Sequence, residues 1–211
     1  MVDYIRDEEE QAELLKNWWQ QNGTAAIITI VLAVAALIGW REWQDHSAGQ
    51  SAEASAQYQE MLRELVAPEQ DVTSITAKAD ALIEAYPKTA YADYARLAKA
   101  SLAVQSGEFD PAAELLQSVA SNGATDAIEY TAALRLARVY LHQQAWDKAQ
   151  TQLDKRYPEA FNGMALELRG DLAKGQGDAE VAVQRYEEAL AALQDGGEKD
   201  RVQMKLDDLK S

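Results

Sequence analysis

The chain has no cysteine. That excludes disulfide staples, thiolate metal sites and a lipidated cysteine anchor, and leaves the redox compartment undecided. Histidine is nearly absent: His46 and His142 stand far apart in sequence, thin material for a metal site or a general base. Only 2 Phe, 4 Pro and 11 Gly occur among 211 residues, while Ala, Leu, Glu and Gln dominate. Those are strong helix formers, so the first expectation is an all-α protein. Basic residues are outnumbered 20 to 35 by acidic ones, for a formal net charge of -15. Such a surface repels phosphate, and no Lys/Arg cluster offsets it. Nucleic acid is therefore excluded as a partner, and adsorption flat on anionic lipid is disfavoured. No phosphate-cradling loop exists either, since Gly175-Gln176-Gly177 lacks a following lysine and a preceding strand. Carboxylate neighbours such as Asp207-Asp208 and Asp110 with Glu114 lack a histidine or thiol beside them. The reading is a non-enzyme with no catalytic residues, no cofactor and no metal.

Long apolar runs are scarce too, with one exception. Ala25 to Trp40 reads AAIITIVLAVAALIGW, without a charge and with Thr29 as its single hydroxyl. Trp18 and Trp19 precede it, and Trp40 and Trp43 close it. Tryptophans at both ends are the interfacial belt of a spanning helix, and Trp19 to Trp40 as a helix rises about 30 Å, the thickness of a bilayer core. Ile30 and Leu37 fall inside it as lipid-facing anchor residues. A cleavable signal peptide would carry a basic leader and a small-residue cleavage site. Here the leader contains Asp7-Glu8-Glu9-Glu10, so an uncleaved anchor is expected. Asn22-Gly23 is a candidate helix break just before it. Arg6, Lys16 and the α-amine precede the span, and only Arg41 follows it closely, which points to a cytoplasmic N-terminus. The expected segments are an acidic amphipathic cytoplasmic leader at 1–23, a transmembrane helix at 24–43, a juxtamembrane linker or helix at 44–57 and a helical domain at 58–211.

That domain reads as a repeat array. Phe109, Trp146 and Ala179 are spaced 37 and then 33 residues apart, close to the 34-residue period of tetratricopeptide helix pairs. Each is followed three residues on by alanine (Ala112, Ala149, Ala182) and four further on by a large residue (Leu116, Leu153, Tyr186). Nine residues upstream stand Ala100, Ala137 and Gly170, small enough for two helices to cross closely. One more step back brings Val72, Ile75 and Ala79 into register, in a unit ending at Pro87. Asp110-Pro111 reads as an N-cap followed by an N1 proline, and Thr89 as the cap of the next helix. The expected fold is thus a single N-terminal transmembrane helix followed by a tetratricopeptide-like α-solenoid of about three to four helix pairs. Stacked pairs make a concave surface. Its expected protein-binding residues are Tyr94, Leu97 and Ser101 in one unit, Leu134, Arg138 and Leu141 in the next, and Glu167, Asp171 and Lys174 in the third.

With its leader ending in LLKNWWQQNG at 14–23, YPKTAYADYARLAKA at 86–100, RLARVYL at 135–141, ELRGDLAKGQGD at 167–178 and KLDDL at 205–209, the chain resembles the YfgM family. These are ancillary subunits associated with the bacterial Sec translocon, and the resemblance covers nearly the full length. It implies a single-pass bacterial inner-membrane protein with a cytoplasmic N-terminus and a periplasmic repeat domain. The implied partners are Sec translocon subunits, a membrane-anchored periplasmic prolyl-isomerase-type chaperone (PpiD-like), newly translocated polypeptides, and the lipid bilayer through one helix. Two alternatives stay open: a membrane-tethered scaffold for another envelope assembly, and a regulator acting through its cytoplasmic leader.

Overall fold

A computed structural model describes the backbone of residues 3–194 and 196–210 and the side chains of residues 10–194 and 196–210. Arg6 and Asp7-Glu8-Glu9 of the expected leader, as side chains, lie outside the described residues. The chain divides into two compact units, Met1–Gln50 and Ser51–Ser211. The described residues hold nine helices, α1 (Asp3–Leu65), α2 (Val72–Ala85), α3 (Ala90–Gln105), α4 (Phe109–Asn122), α5 (Asp126–His142), α6 (Trp146–Leu153), α7 (Glu159–Gln176), α8 (Ala179–Ala192) and α9 (Gly196–Lys210). The fold is all-α.

The first unit is helical throughout its described backbone, so the break expected at Asn22-Gly23 does not occur. Two local features remove the reason for one. Asn22 Nδ2 donates to the Trp18 carbonyl at 3.1 Å, so the amide supports the helix instead of competing with it. Gly23 leaves room for the Trp19 indole to lie along the helix, where a Cβ would stand 3.3 Å from Trp19 Cε2. Within the apolar stretch, the Thr29 hydroxyl donates to the Ala25 carbonyl at 2.9 Å. Its polar group is thereby satisfied inside the helix, as a lipid environment demands.

The second unit is a stack of helix pairs. The last turns of α1 pair with α2, α3 with α4, α5 with α6 and α7 with α8, and α9 packs on α8 at the end. The register expected from the sequence falls on the second helix of each pair, since α2, α4, α6 and α8 begin at Val72, Phe109, Trp146 and Ala179. The positions three residues on (Ile75, Ala112, Ala149, Ala182) are all fully buried, and those four further on (Ala79, Leu116, Leu153, Tyr186) nearly or wholly so. Small side chains recur there because the two helices of a pair approach closely. Gly170 shows the extreme case, for a Cβ at this position would fall on the Tyr186 ring, well inside van der Waals contact.

The turns within pairs share one device. Gly107, Gln144 and Gly177 adopt positive φ (78°, 56° and 87°), each two residues before the second helix. The next amide then reaches back five residues, from Glu108 to the Ala103 carbonyl (2.8 Å), from Ala145 to Tyr140 (2.9 Å) and from Asp178 to Ala173 (2.9 Å). This satisfies carbonyls that the first helix would leave orphaned, in the manner of a Schellman cap. Side-chain caps start α2, α3, α5 and α8, whereas α7 follows Pro158 without one. Asp71, Thr89, Thr125 and Asp178 accept from Ser74, Ala92, Ile128 and Val181 amides. The cap expected at Asp110 is displaced, because α4 begins two residues earlier, behind Glu108. Pro111 becomes the third helical residue, where a missing N–H still costs no helical bond. The short α6 is finished from outside, by Arg169 Nε and Nη2 donating to the Leu153 carbonyl at 3.2 and 2.6 Å.

Candidate functional site

The span in the first unit is apolar on every side. Ile27, Ile30, Val31, Leu32, Val34, Leu37 and Ile38 are all exposed, with no protein packed over them. A helix apolar all round is stable only where its surroundings are apolar. Indole pairs mark both ends. The Trp18 and Trp19 ring centroids lie 6.5 Å apart, and those of Trp40 and Trp43 lie 5.3 Å apart. Among the described residues this is the one helix long and apolar enough to cross a membrane.

In the second unit a groove of about 590 Å³ opens between α3 and α5 above the start of α4. Leu97, Ala100, Ser101 and Val104 line it from α3, Phe109 and Leu116 from α4, and Arg135, Arg138, Val139 and His142 from α5. The volume is within the roughly 300–1,000 Å³ of surface pockets that seat ligands. Its floor is apolar because it is the edge of the central core cluster, to which Leu97, Ala100, Leu116 and Val139 belong. One end is closed by Phe109 against the His142 ring, 4.2 Å between centroids. Beside it Gln143 Nε2 donates to Asp110 Oδ1 at 2.7 Å, tying the start of α4 to the end of α5. Arg135 and Arg138 are exposed on the α5 wall. Neither engages a carboxylate among the described residues.

Of the nine residues expected on the concave face, Leu97, Ser101 and Arg138 come together in this groove. Tyr94 is 39% exposed and belongs instead to a cluster with Tyr58 and Tyr91, at ring-centroid distances of 5.7 and 6.3 Å. Leu141 is half-buried against the core. Leu134 is only 1% exposed and belongs to that core. Lys174 is exposed near the end of α7. The α7 face is covered by α9. Glu167, 1% exposed, receives Arg201 Nε and Nη2 at 2.8 and 2.7 Å and Lys205 Nζ at 2.8 Å. Lys205 also reaches both Asp171 oxygens at 2.7 Å, and the Tyr186 hydroxyl donates to Asp171 Oδ1 at 2.8 Å. Burial alone would raise the Glu167 pKa, but the hydrogen bonds and charges of Arg201 and Lys205 outweigh it and hold the carboxyl at about 2. Burial pushes the Tyr186 phenol up, and the neighbouring Asp171 carboxylate pushes it further. Sequence reasoning missed Arg135, Val104 and His142 as groove residues. Arg135 was the findable one, lying three residues before Arg138 and hence on the same helix face.

A capped stack of helix pairs, with one candidate membrane span ahead of it in sequence, defines a tetratricopeptide-type repeat protein. Residues 16–211 match the family model of the tetratricopeptide repeat-like domain. A Haemophilus influenzae protein named ancillary SecYEG translocon subunit is 33% identical over 186 residues, covering 88% of this chain and 90% of its own. Proteins of the same name from Neisseria gonorrhoeae and Escherichia coli are 31% and 27% identical over 208 residues. These alignments cover 96% and 99% of this chain and 98% and 99% of theirs. The chain belongs to the tetratricopeptide repeat-like family of ancillary SecYEG translocon subunits.

Proposed function

We propose that this chain is a non-catalytic ancillary subunit of the bacterial Sec translocon. In this reading residues 24–43 span the inner membrane, the N-terminus is cytoplasmic and the repeat domain lies in the periplasm. There the domain binds a PpiD-like, membrane-anchored chaperone of the prolyl-isomerase class and assists the handover of newly translocated polypeptides. The observation that carries the reading is the extent of the likeness. It covers both the apolar stretch and the repeat domain of this chain, reaches 99% and 98% of the length of relatives that bear the translocon name, and is not confined to the repeats. The groove between α3 and α5 supports the binding part, because it is preformed, apolar and open to a chain segment.

Site-specific photocrosslinking in intact cells tests it. A photoreactive residue replaces Ile30 or Leu37 in the span, and Ser101 or Leu141 in the repeat domain. The expected adducts are translocon subunits from the span and a chaperone or exported polypeptides from the domain. Adducts only to other envelope machinery would instead support a tethered scaffold. Orientation has its own test, helped by the absence of native cysteine. With Glu13→Cys and Met204→Cys, a membrane-impermeant thiol reagent added outside spheroplasts should label only the second.

A further inference from the structure

From the groove geometry we infer that the α3–α5 site selects peptide segments in which acidic side chains alternate with large apolar ones. The inference rests on the polypeptide-binding reading above and deepens it. The apolar floor of Leu97, Val104, Phe109 and Val139 offers room for about two or three large side chains in its 590 Å³. The polar side of the same groove is cationic. Arg135 and Arg138, one helical turn apart on α5, both line it and are exposed.

Among the described residues neither has a carboxylate partner, which is what makes them informative. The chain carries 35 acidic residues against 20 basic ones, and several basic side chains in the repeat unit are already paired with carboxylates. Lys78 pairs with Glu60 and Glu64, Arg96 with Asp93, Lys99 with Asp80, and Arg201 and Lys205 with Glu167. No carboxylate is among the residues that line the groove, and Asp110 at the start of α4 is held by Gln143. Two guanidiniums without a carboxylate partner among the described residues thus stand beside an apolar recess, on a protein of net charge -15. A carboxylate entering there gains charge-assisted, bidentate hydrogen bonds. Within about a Debye length, 10 Å at 0.1 M salt, the local pair outweighs the more distant negative charge. A lysine-bearing segment meets repulsion at the groove instead, so the site discriminates by charge as well as by apolar fit.

The test uses the full chain in nanodiscs of zwitterionic lipid and fluorescence anisotropy of labelled peptides. One peptide alternates leucine with glutamate, and two others carry glutamine or lysine in place of glutamate. The expected order is glutamate tightest, glutamine about tenfold weaker, lysine weakest, with the glutamate preference shrinking at high salt. The Arg135→Gln/Arg138→Gln chain should bind the glutamate and glutamine peptides alike, and Arg135→Lys/Arg138→Lys should keep part of the preference. Lys88→Gln/Arg156→Gln, exposed but outside the groove, should keep all of it, and Ser101→Trp should weaken every peptide. Unchanged helicity by circular dichroism confirms that each variant is folded. Equal binding of the three peptides, no binding of any, or an undiminished glutamate preference in the arginine-to-glutamine chain would overturn the inference. If the Ile30 and Leu37 crosslinks to translocon subunits persist in that case, the groove assignment falls alone and the translocon reading stands.

Discussion

Replacing Glu167 by glutamine should loosen α9 by about 2 kcal/mol at neutral pH. The carboxyl titrates at about 2 in the folded chain and near 4.3 in an open one, a difference that contributes about 3 kcal/mol above pH 5. Arg201, its bidentate partner, is 44% exposed, and screening by water lowers the figure to about 2 kcal/mol. Because folding depresses this pKa, the contribution is fully present above the open-chain value. It is lost as pH falls through the folded value, that is between about 4.3 and about 2. Hydrogen exchange of residues 196–210, followed by mass spectrometry on the full chain in nanodiscs, reads the local opening. Two kcal/mol corresponds to about 30-fold faster exchange in Glu167→Gln at neutral pH. Urea unfolding at a series of pH values supplies the second half, in which the gap between native and Glu167→Gln chains should narrow to about half by pH 3. The reasoning is refuted if exchange in α9 is unchanged, or if the gap stays constant from pH 7 to pH 3.

Three further outcomes follow from the same geometry. Gly170→Ala forces a methyl onto the buried Tyr186 ring; overpacking of about 1–3 kcal/mol exceeds the helix-propensity gain of about 1 kcal/mol. A lowered urea midpoint should show a net loss of about 1 kcal/mol. Gln144→Gly relieves a left-handed glutamine at φ 56°, and thermal unfolding should show about 0.5–1 kcal/mol of added stability, whereas a loss would mean that the glutamine side chain holds the turn. Leu37→Arg places a charge in the exposed apolar stretch, at a cost of about 2.5–3.5 kcal/mol for insertion. Carbonate extraction of membranes should release a larger share of this variant, and unchanged retention would count against the span.

Much of the fold was legible because the same packing problem is solved four times. Wherever two helices cross closely the chain needs a small residue, so Ala112, Ala149 and Ala182 announce a register that the helix starts at 72, 109, 146 and 179 share. The turns were half legible: glycine marks positions 107 and 177, but glutamine takes the same left-handed conformation at 144, and nothing in its chemistry advertises that. The binding face was less readable. Helical spacing placed Leu97, Ser101 and Arg138 together, but it also carried the count one residue inward to Leu134, which the core claims. Glu167 and Asp171 look like surface carboxylates until α9 arrives with Arg201 and Lys205, 34 residues along the chain. A contact between elements so distant in sequence leaves no periodic trace.

That helix, α9, also covers the exposed side of the final pair. A stack of identical pairs has no intrinsic end, for whatever face one pair offers the next, the final pair offers to any copy that drifts by. Val202 and Leu206 of α9 fill the apolar face of the final pair, while Gln203, Asp207 and Asp208 turn outward and stay exposed. What would have been an apolar face becomes a mostly polar one, with charges of both signs and Met204 exposed among them. α9 thus covers the face of the final pair on which a further pair or a second copy would stack.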